Sequence, residues 1–414
     1  MIAFHFPPVS GSSGVQRSLR FAQVLPGLGW QPTVISAHPR AYERTSPDLL
    51  RDIPETVEVV RAFAFDAVRQ LSVGGRYPGF IARPDRWWPW RAGGVVAGLK
   101  LLREQRFDAI WSTYPIPTAH LIGAALHERT GIPWVADFRD PMAQDGYPED
   151  PKTWRAFKSI EERTVMHAAR SVFTTAGAAQ IYRERYRDLP GDRFAVIENG
   201  YDEQTFVSAQ AQSTRTEPLH PRRITLLHSG IVYPSERDPT QLLQAMAMLK
   251  ATGTISRESF CLRFRASEHD ALIQRLAQAT DVADLIELLP PLPYGEALDE
   301  MLRADALLVL QASNCNAQIP AKLYEYLRAR RPILALTDPD GDTANVVLRS
   351  GIPSIAPLDS AAEIGALLAR FVGEPDRRDD WVATSESVRL ASRQARAIEL
   401  ARLLDDVCAV RGHG

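Results

Sequence analysis

Two short stretches in the second half of the chain set ionisable side chains at spacings that could do chemistry. In His228-Ser229-Gly230, followed by Arg237-Asp238-Pro239, a strand end and a glycine turn precede a cation at the start of a helix. A guanidinium there can fork two phosphate oxygens. The alternative is an ion pair between Arg237 and Asp238. In Pro320-Ala321-Lys322-Leu323-Tyr324-Glu325-Tyr326, Lys322 and Glu325 lie three apart on one helix face, with Pro320 suited to the first turn. A lysine in that turn opposes the helix dipole, which a nearby anion would explain. A cation for phosphate and a carboxylate for ribose hydroxyls would form one nucleotide grip. The alternative is an exposed salt bridge.

The first half offers three more stretches. The loop Pro7-Pro8-Val9-Ser10-Gly11-Ser12-Ser13-Gly14-Val15-Gln16-Arg17 has glycines that let backbone amides approach an anion ahead of a helix N-terminus. It is neither a P-loop nor a clean GxGxxG, and an ordinary βα turn reads the same way. Trp134-Val135-Ala136-Asp137-Phe138-Arg139-Asp140-Pro141 runs a strand into two carboxylates and an arginine, with an N-cap aspartate and a surface ion pair as the alternative. Glu198-Asn199-Gly200-Tyr201-Asp202 contains a tight-turn Asn-Gly. Two further stretches carry less. Asp338-Pro339-Asp340-Gly341-Asp342 has its glycine misplaced for a calcium loop and reads as solvated loop. Arg83 to Arg91 sets three tryptophans among arginines, which suits a sugar, a lipid interface or plain packing equally.

The elements that must position these groups follow from the pattern. Of 414 residues, 45% are apolar and 24% charged, enough for two or three packed domains. The 48 basic and 50 acidic residues leave a net charge of −2, which disfavours a nucleic-acid binder held by bulk charge. Cys261, Cys315 and Cys408 are far apart, with no spacing for a zinc site or a disulfide framework. No apolar run is long enough to span a bilayer and no signal peptide is visible. The expectation is a cytoplasmic protein with peripheral contact at the inner face of a membrane.

Strands are expected at Ile2–Phe6, Pro32–Ser36, Val57–Val60, Ala109–Ser112, Trp134–Ala136, Ser171–Thr174 and Ala195–Ile197. A second series is expected at Ile224–His228, Leu262–Ala266, Ile286–Leu289, Ala306–Leu310 and Pro332–Leu336, with helical patterns between. Alternation of this kind builds parallel βαβ units. It predicts two doubly wound α/β domains facing a central cleft, 1–206 and 224–384. A polar linker is expected at 207–223, and a C-terminal helix, 385–414, crossing back to the first domain. Ligands of such sheets bind outside the carboxyl ends of the strands.

Taken in order, the motifs resemble the GT-B glycosyltransferases of family 4 over nearly the whole chain. The carriers are PPVSGSSGVQR with LGWQPTVIS, then Asn199-Gly200-Tyr201-Asp202 with Phe206, and the loop from Gly230 to Arg237. Pro320-Ala321-Lys322-Leu323-Tyr324-Glu325-Tyr326, ahead of Arg331-Pro332-Ile333-Leu334, matches a subset with a P-x-K-x-x-E-Y motif. The chain departs from the family at Ala317, where a glutamate is usual, at Ile231 and Arg139, where an arginine and a histidine are usual, and at Arg330, usually glycine.

The resemblance implies a retaining, metal-independent transferase with no cofactor beyond a nucleotide-diphosphate sugar as donor. The acceptor would be a glycan or polyprenyl-linked glycan in surface polysaccharide biosynthesis. It assigns Arg237 and Lys322 to the diphosphate, Glu325 to the ribose, and Gly14 and Gly230 to loops that approach the donor. Arg139 and Asp140 face the sugar or acceptor as the catalytic candidates. A catalytically degenerate sugar-nucleotide binder and a sugar-nucleotide epimerase are the other readings.

Overall fold

The computed structural model describes residues 1–10, 14–72, 74, 76–212 and 217–409. The chain forms two compact units, Met1–Glu198 with Arg393–Gly414, and Asn199–Ser392. Each is a parallel sheet with helices on both faces, as alternating strands and helices dictate.

In the first unit the strands are β1 (Thr33–Ala37), β2 (Glu58–Ala62), β3 (Ile110–Thr113), β4 (Trp134–Arg139), β5 (Arg170–Phe173) and β6 (Phe194–Val196). β2 pairs with β1, and β3-β4-β5-β6 run in order. Ile2 joins the two groups, bridging Ile35 of β1 and Ser112 of β3 in parallel. The strand expected over Ile2–Phe6 therefore contracts to its first residues. Beyond Ala3 the chain turns, with Phe6 N donating to Phe4 O and Val9 N to Phe6 O, so the groups on either side of the two prolines leave the ladder. With this segment counted as first strand, the order is that of a Rossmann fold, reversing direction between Ile2 and β3.

The central strands are buried on both faces, as a covered parallel sheet requires. One face carries Trp90, Trp134, Phe138, Phe173 and Tyr182. The other carries Leu19, Phe21, Trp111 and Val135, covered by Ala397, Leu400, Ala401, Leu404 and Val407 of the helix Arg393–Ala409. That spacing of three and four is an apolar stripe. The C-terminal helix is thus part of the first unit's core.

The second unit contains β7 (Ile224–Ser229), β8 (Phe260–Arg265), β9 (Ile286–Leu289), β10 (Ala306–Leu310), β11 (Ile333–Leu336) and β12 (Ile355–Ala356). Their order, β12-β11-β10-β7-β8-β9, is again Rossmann-like, with the reversal between β7 and β10.

Three boundaries differ from the sequence reading. The stretch read as linker from 207 begins inside a helix, Glu203–Gln212, held to the second unit by buried Phe206 and Ala209 and by Arg328 on Glu203. Two apolar anchors among small polar residues are too few to show a period. The chain leaves the first unit after Glu198 rather than at 206, and re-enters it at Arg393 rather than 385. The single terminal helix is two, Ser385–Leu390 and Arg393–Ala409, with Ala391 and Ser392 laid beside Tyr201.

Candidate active site

In the second unit, four of the expected residues converge at the carboxyl end of β7, where the strand order reverses. β7 ends at Ser229, and Gly230 follows with φ +120°, a conformation that favours glycine. A Cβ placed on Gly230 would lie 2.7 Å from Lys322 Nζ and 3.2 Å from Cε, so the glycine is what admits the lysine. Lys322 is the first residue of the helix Lys322–Ala329. That helix is tied to β7 by Ser229 N donating to the buried Tyr326 hydroxyl at 2.9 Å.

Among the described residues Lys322 forms no salt bridge with Glu325 and feels it only through its charge. It donates instead to Nε2 of the fully buried His228, at 3.2 Å. Burial, together with the field of Arg237, pushes the Lys322 ammonium down to about 7, with Glu325 opposing.

Arg237 does not pair with Asp238, which instead accepts from Thr240 N at 2.9 Å just ahead of the next helix. Its guanidinium donates to Ile231 O at 2.6 Å and lies over the Tyr233 ring, 5.1 Å from the centroid. The loop carrying it is pinned to the strand beyond the reversal, where Ala312 N donates to Glu236 O at 2.7 Å. Among the described residues, neither Lys322 nor Arg237 has a carboxylate partner. Glu325 accepts from the Tyr294 hydroxyl at 2.5 Å. This cluster offers two cations, a helix N-terminus and a carboxylate.

In the first unit, Arg139 and Asp140 end β4. Arg139 has φ +65° at a register shift against β5, which turns its side chain out of the ladder pattern. Its carbonyl is held by Thr174 N and Oγ1 at 2.8 and 2.9 Å. The Arg139 Nε is buried without a hydrogen-bond partner among the described residues, and burial lowers the guanidinium, with Asp140 opposing. Asp140 exposes part of its surface, yet the protein packed about it raises its carboxyl, with Arg139 opposing.

Beyond Asp140, the chain is fixed by buried Glu161, which accepts from Ala143 N at 3.0 Å and from Tyr182 at 2.5 Å. The Tyr182 hydroxyl in turn accepts from Met142 N. Asp137, the other carboxylate of this stretch, is structural: it is fully buried and accepts from Arg17 at 2.8 and 3.0 Å and from Thr113 at 2.9 Å. Gly14 opens the helix Gly14–Val24 and is buried. Gly11, Ser12 and Ser13 of its loop lie outside the described residues.

Sequence reasoning gave no role to three residues that the structure brings to these places. His228 was visible only as a strand residue ahead of a glycine. Tyr294 opens the helix Tyr294–Arg303 and carried no signal of its own. His5 sits close enough to Arg139 that burial and that charge lower its imidazole to about 4. Its one signal was a histidine at the end of the first strand.

The other stretches take structural places. Of the tryptophans, Trp90 is fully buried, Trp87 donates to Ala41 O, and Trp88 is 41% exposed. In the aspartate run, Asp338 accepts from Asn316 Nδ2 at 2.6 Å and from Asp340 N at 3.0 Å, a loop holding itself. Among the described residues, His220, Cys261 and Glu287 lie close enough together for a metal. Arg223 and Arg263 already occupy that cluster, and burial pushes the Cys261 thiol up to about 12. It suits a cation poorly.

Residues 13–200 match the glycosyl transferase 4-like domain family. A D-inositol 3-phosphate glycosyltransferase from Streptosporangium roseum is 26% identical over 281 residues, 63% of this chain. The match spans 60% of that relative's length. Two solved structures align with almost the whole chain. Sucrose-phosphate synthase from Thermosynechococcus elongatus gives a TM-score of 0.62 at 14% identity, covering 99% of this chain and 98% of that one. Anabaena Alr3699/HepE in complex with UDP gives 0.64 at 12% identity, covering 96% and 98%. The chain therefore has the GT-B fold, two Rossmann-like domains, and its residues 13–200 are similar to the glycosyl transferase 4-like domain.

Proposed function

We propose that this chain is a glycosyltransferase that moves a sugar from a nucleotide-diphosphate sugar to a glycan or lipid-linked acceptor. The observation that carries the reading is the pair of cations, Lys322 and Arg237, held at the carboxyl end of β7 by neutral acceptors, with no carboxylate partner among the described residues. Fixed cations and a helix N-terminus stabilise a departing diphosphate without reorganising as its charge develops. In this reading Lys322 and Arg237 take the diphosphate, which gives metal-independent departure. Glu325 takes the ribose hydroxyls, and Gly230 leaves room for the lysine. The helix opened by Gly14 serves the phosphate side, and Arg139 and Asp140 serve the sugar or acceptor. Retention at the anomeric carbon is the outcome the family resemblance implies.

A lipid-linked acceptor is favoured by one stretch of the first unit. Phe80 is 69% exposed, with Tyr77, Trp88 and Leu71 also exposed, and Arg76 and Arg91 exposed around them. Aromatic and basic side chains together suit the face of a bilayer. No helix among the described residues is long and apolar enough to cross a membrane. The test is transfer of radiolabelled sugar from UDP-, GDP-, ADP- and dTDP-sugars to extracted membrane lipids by the purified chain. Labelled lipid is expected with one donor. Folded protein that binds a nucleotide but transfers and hydrolyses nothing would overturn the reading in favour of a sugar-nucleotide binder.

A further inference from the structure

His228 belongs to β7, yet its side chain spans the place where the strand order reverses. Nδ1 lies 2.9 Å from Leu308 O of β10, and Nε2 lies 3.2 Å from Lys322 Nζ. The residue is fully buried. A carbonyl can only accept, so Nδ1 must carry the proton and donate to Leu308. In the neutral ring Nε2 then holds a lone pair, the one feature of the side chain able to accept from an ammonium. Nδ1 thus engages the sheet and Nε2 the lysine, with the Ile231 carbonyl, which also accepts from Arg237, lying beside the ring.

We infer that His228 is a positioning residue: a neutral imidazole whose tautomer is set by Leu308 and whose Nε2 aims the Lys322 ammonium at the bound diphosphate. The inference rests on the reading of Lys322 as a phosphate ligand. Its physical content is a division between direction and charge. A carboxylate at position 228 would also orient the lysine, but would cancel the field that an anion must feel. A neutral acceptor orients and cancels nothing. Gly230 completes the device, since any Cβ there would meet the ammonium before His228 could hold it. The strand reversal supplies the geometry, because only there does β7 have β10 as neighbour while its end opens toward the helix Lys322–Ala329.

The test is a cycle of variants in the full-length chain, with UDP, GDP, ADP and dTDP as calorimetric probes. Lys322→Ala should weaken the preferred nucleotide by about tenfold or more, the size of a charge-assisted hydrogen bond. If it does not, the phosphate-site reading itself fails, and this inference with it. Given that loss, His228→Leu should weaken the same nucleotide by about tenfold, and His228→Gln, whose Oε1 can replace Nε2 as acceptor, by clearly less.

In the Lys322→Ala background, His228→Leu should change affinity less than about twofold, since coupled residues are not additive. Unchanged affinity in His228→Leu overturns the inference, as does an equal loss in both backgrounds, which would mark a merely structural role. Should His228→Leu not fold, nitrogen NMR of the wild-type ring decides. A neutral Nδ1–H tautomer at pH 6 to 8 supports the assignment, and an Nε2–H tautomer or an imidazolium overturns it.

Discussion

If Lys322 holds the donor's diphosphate, donor affinity must fall steeply with pH in a window where ordinary lysines are silent. Burial and the field of Arg237 put the free ammonium at about 7, against a lysine's ordinary 10.5. At pH 6 the group is charged. At pH 8 only about one molecule in ten carries the charge, so a ligand that selects the charged form binds about tenfold more weakly than at pH 6. Each further unit costs about another tenfold until the pKa of the complex is reached. That pKa lies higher, because a bound diphosphate favours the ammonium.

A nucleotide sugar is the ligand to use, because its diphosphate diester stays fully ionised throughout. His228 does not titrate in the window, since burial and Lys322 hold its imidazole well below the usual range. Calorimetry from pH 6 to 9 should show the slope. In buffers of different ionisation enthalpy it should also show uptake of about 0.9 proton per donor bound at pH 8.

Lys322→Arg, which stays charged, should bind with a flat profile. The free protein should respond with opposite sign. Between about 7 and 10.5 the unfolded chain keeps a proton that the native chain has lost, so this residue makes stability rise with pH while affinity falls. A flat wild-type profile, or an equal slope in Lys322→Arg, would refute the placing of this charge at the diphosphate.

Three other outcomes are expected. Gly230→Ala puts a Cβ 2.7 Å from Lys322 Nζ at a φ of +120°, so it should lower stability by about 1–3 kcal/mol and weaken nucleotide binding in titrations where Arg237→Lys keeps a measurable affinity. Asp137→Ala strands the buried Arg17 guanidinium and should cost about 3–5 kcal/mol in urea unfolding, marking it as structural. Tyr294→Phe removes the phenol that now satisfies Glu325, so it should tighten binding of nucleotides with a ribose 2′-hydroxyl relative to their deoxy counterparts, read as a ratio of dissociation constants.

Legibility in the sequence followed the range of the interactions. The strands Ile286–Leu289 and Ala306–Leu310 stand where their apolar patterns predict, because burial on a fixed face is written into consecutive residues. The helix Glu203–Gln212 did not show, since an ion pair from Arg328, over a hundred positions away, secures it. β12, two residues long, has no pattern to display. In the candidate site, Lys322 and Glu325 were visible because helical spacing relates them. His228 had no visible role, because its partners Leu308 and Lys322 lie 80 and 94 positions on and only the strand order brings them together. Arg330 shows the same limit from the other side. It holds φ +52° at a helix end where glycine costs least, a local demand that its residue type conceals.

Several part-buried arginines of this chain are matched by carboxylates, while the cations of the candidate site are not, a trait they share with the structural Arg193. Arg17 is matched by Asp137, Arg265 by Glu300, and Arg263 by Glu287 and Glu300, all at distances of 2.7 to 2.9 Å. Those pairs present little net field, and their energy is spent holding strands to helices. Lys322, Arg237 and Arg139 are instead held by an imidazole and by carbonyls, with no carboxylate ion pair among the described residues. Burying a cation away from a paired carboxylate is costly, and burial with the field of Arg237 lowers the Lys322 ammonium accordingly. Such a cost is tolerable in a folded chain when an anion arrives to offset it, and all three cations stand at the carboxyl ends of parallel strands, where this class of sheet receives its ligands.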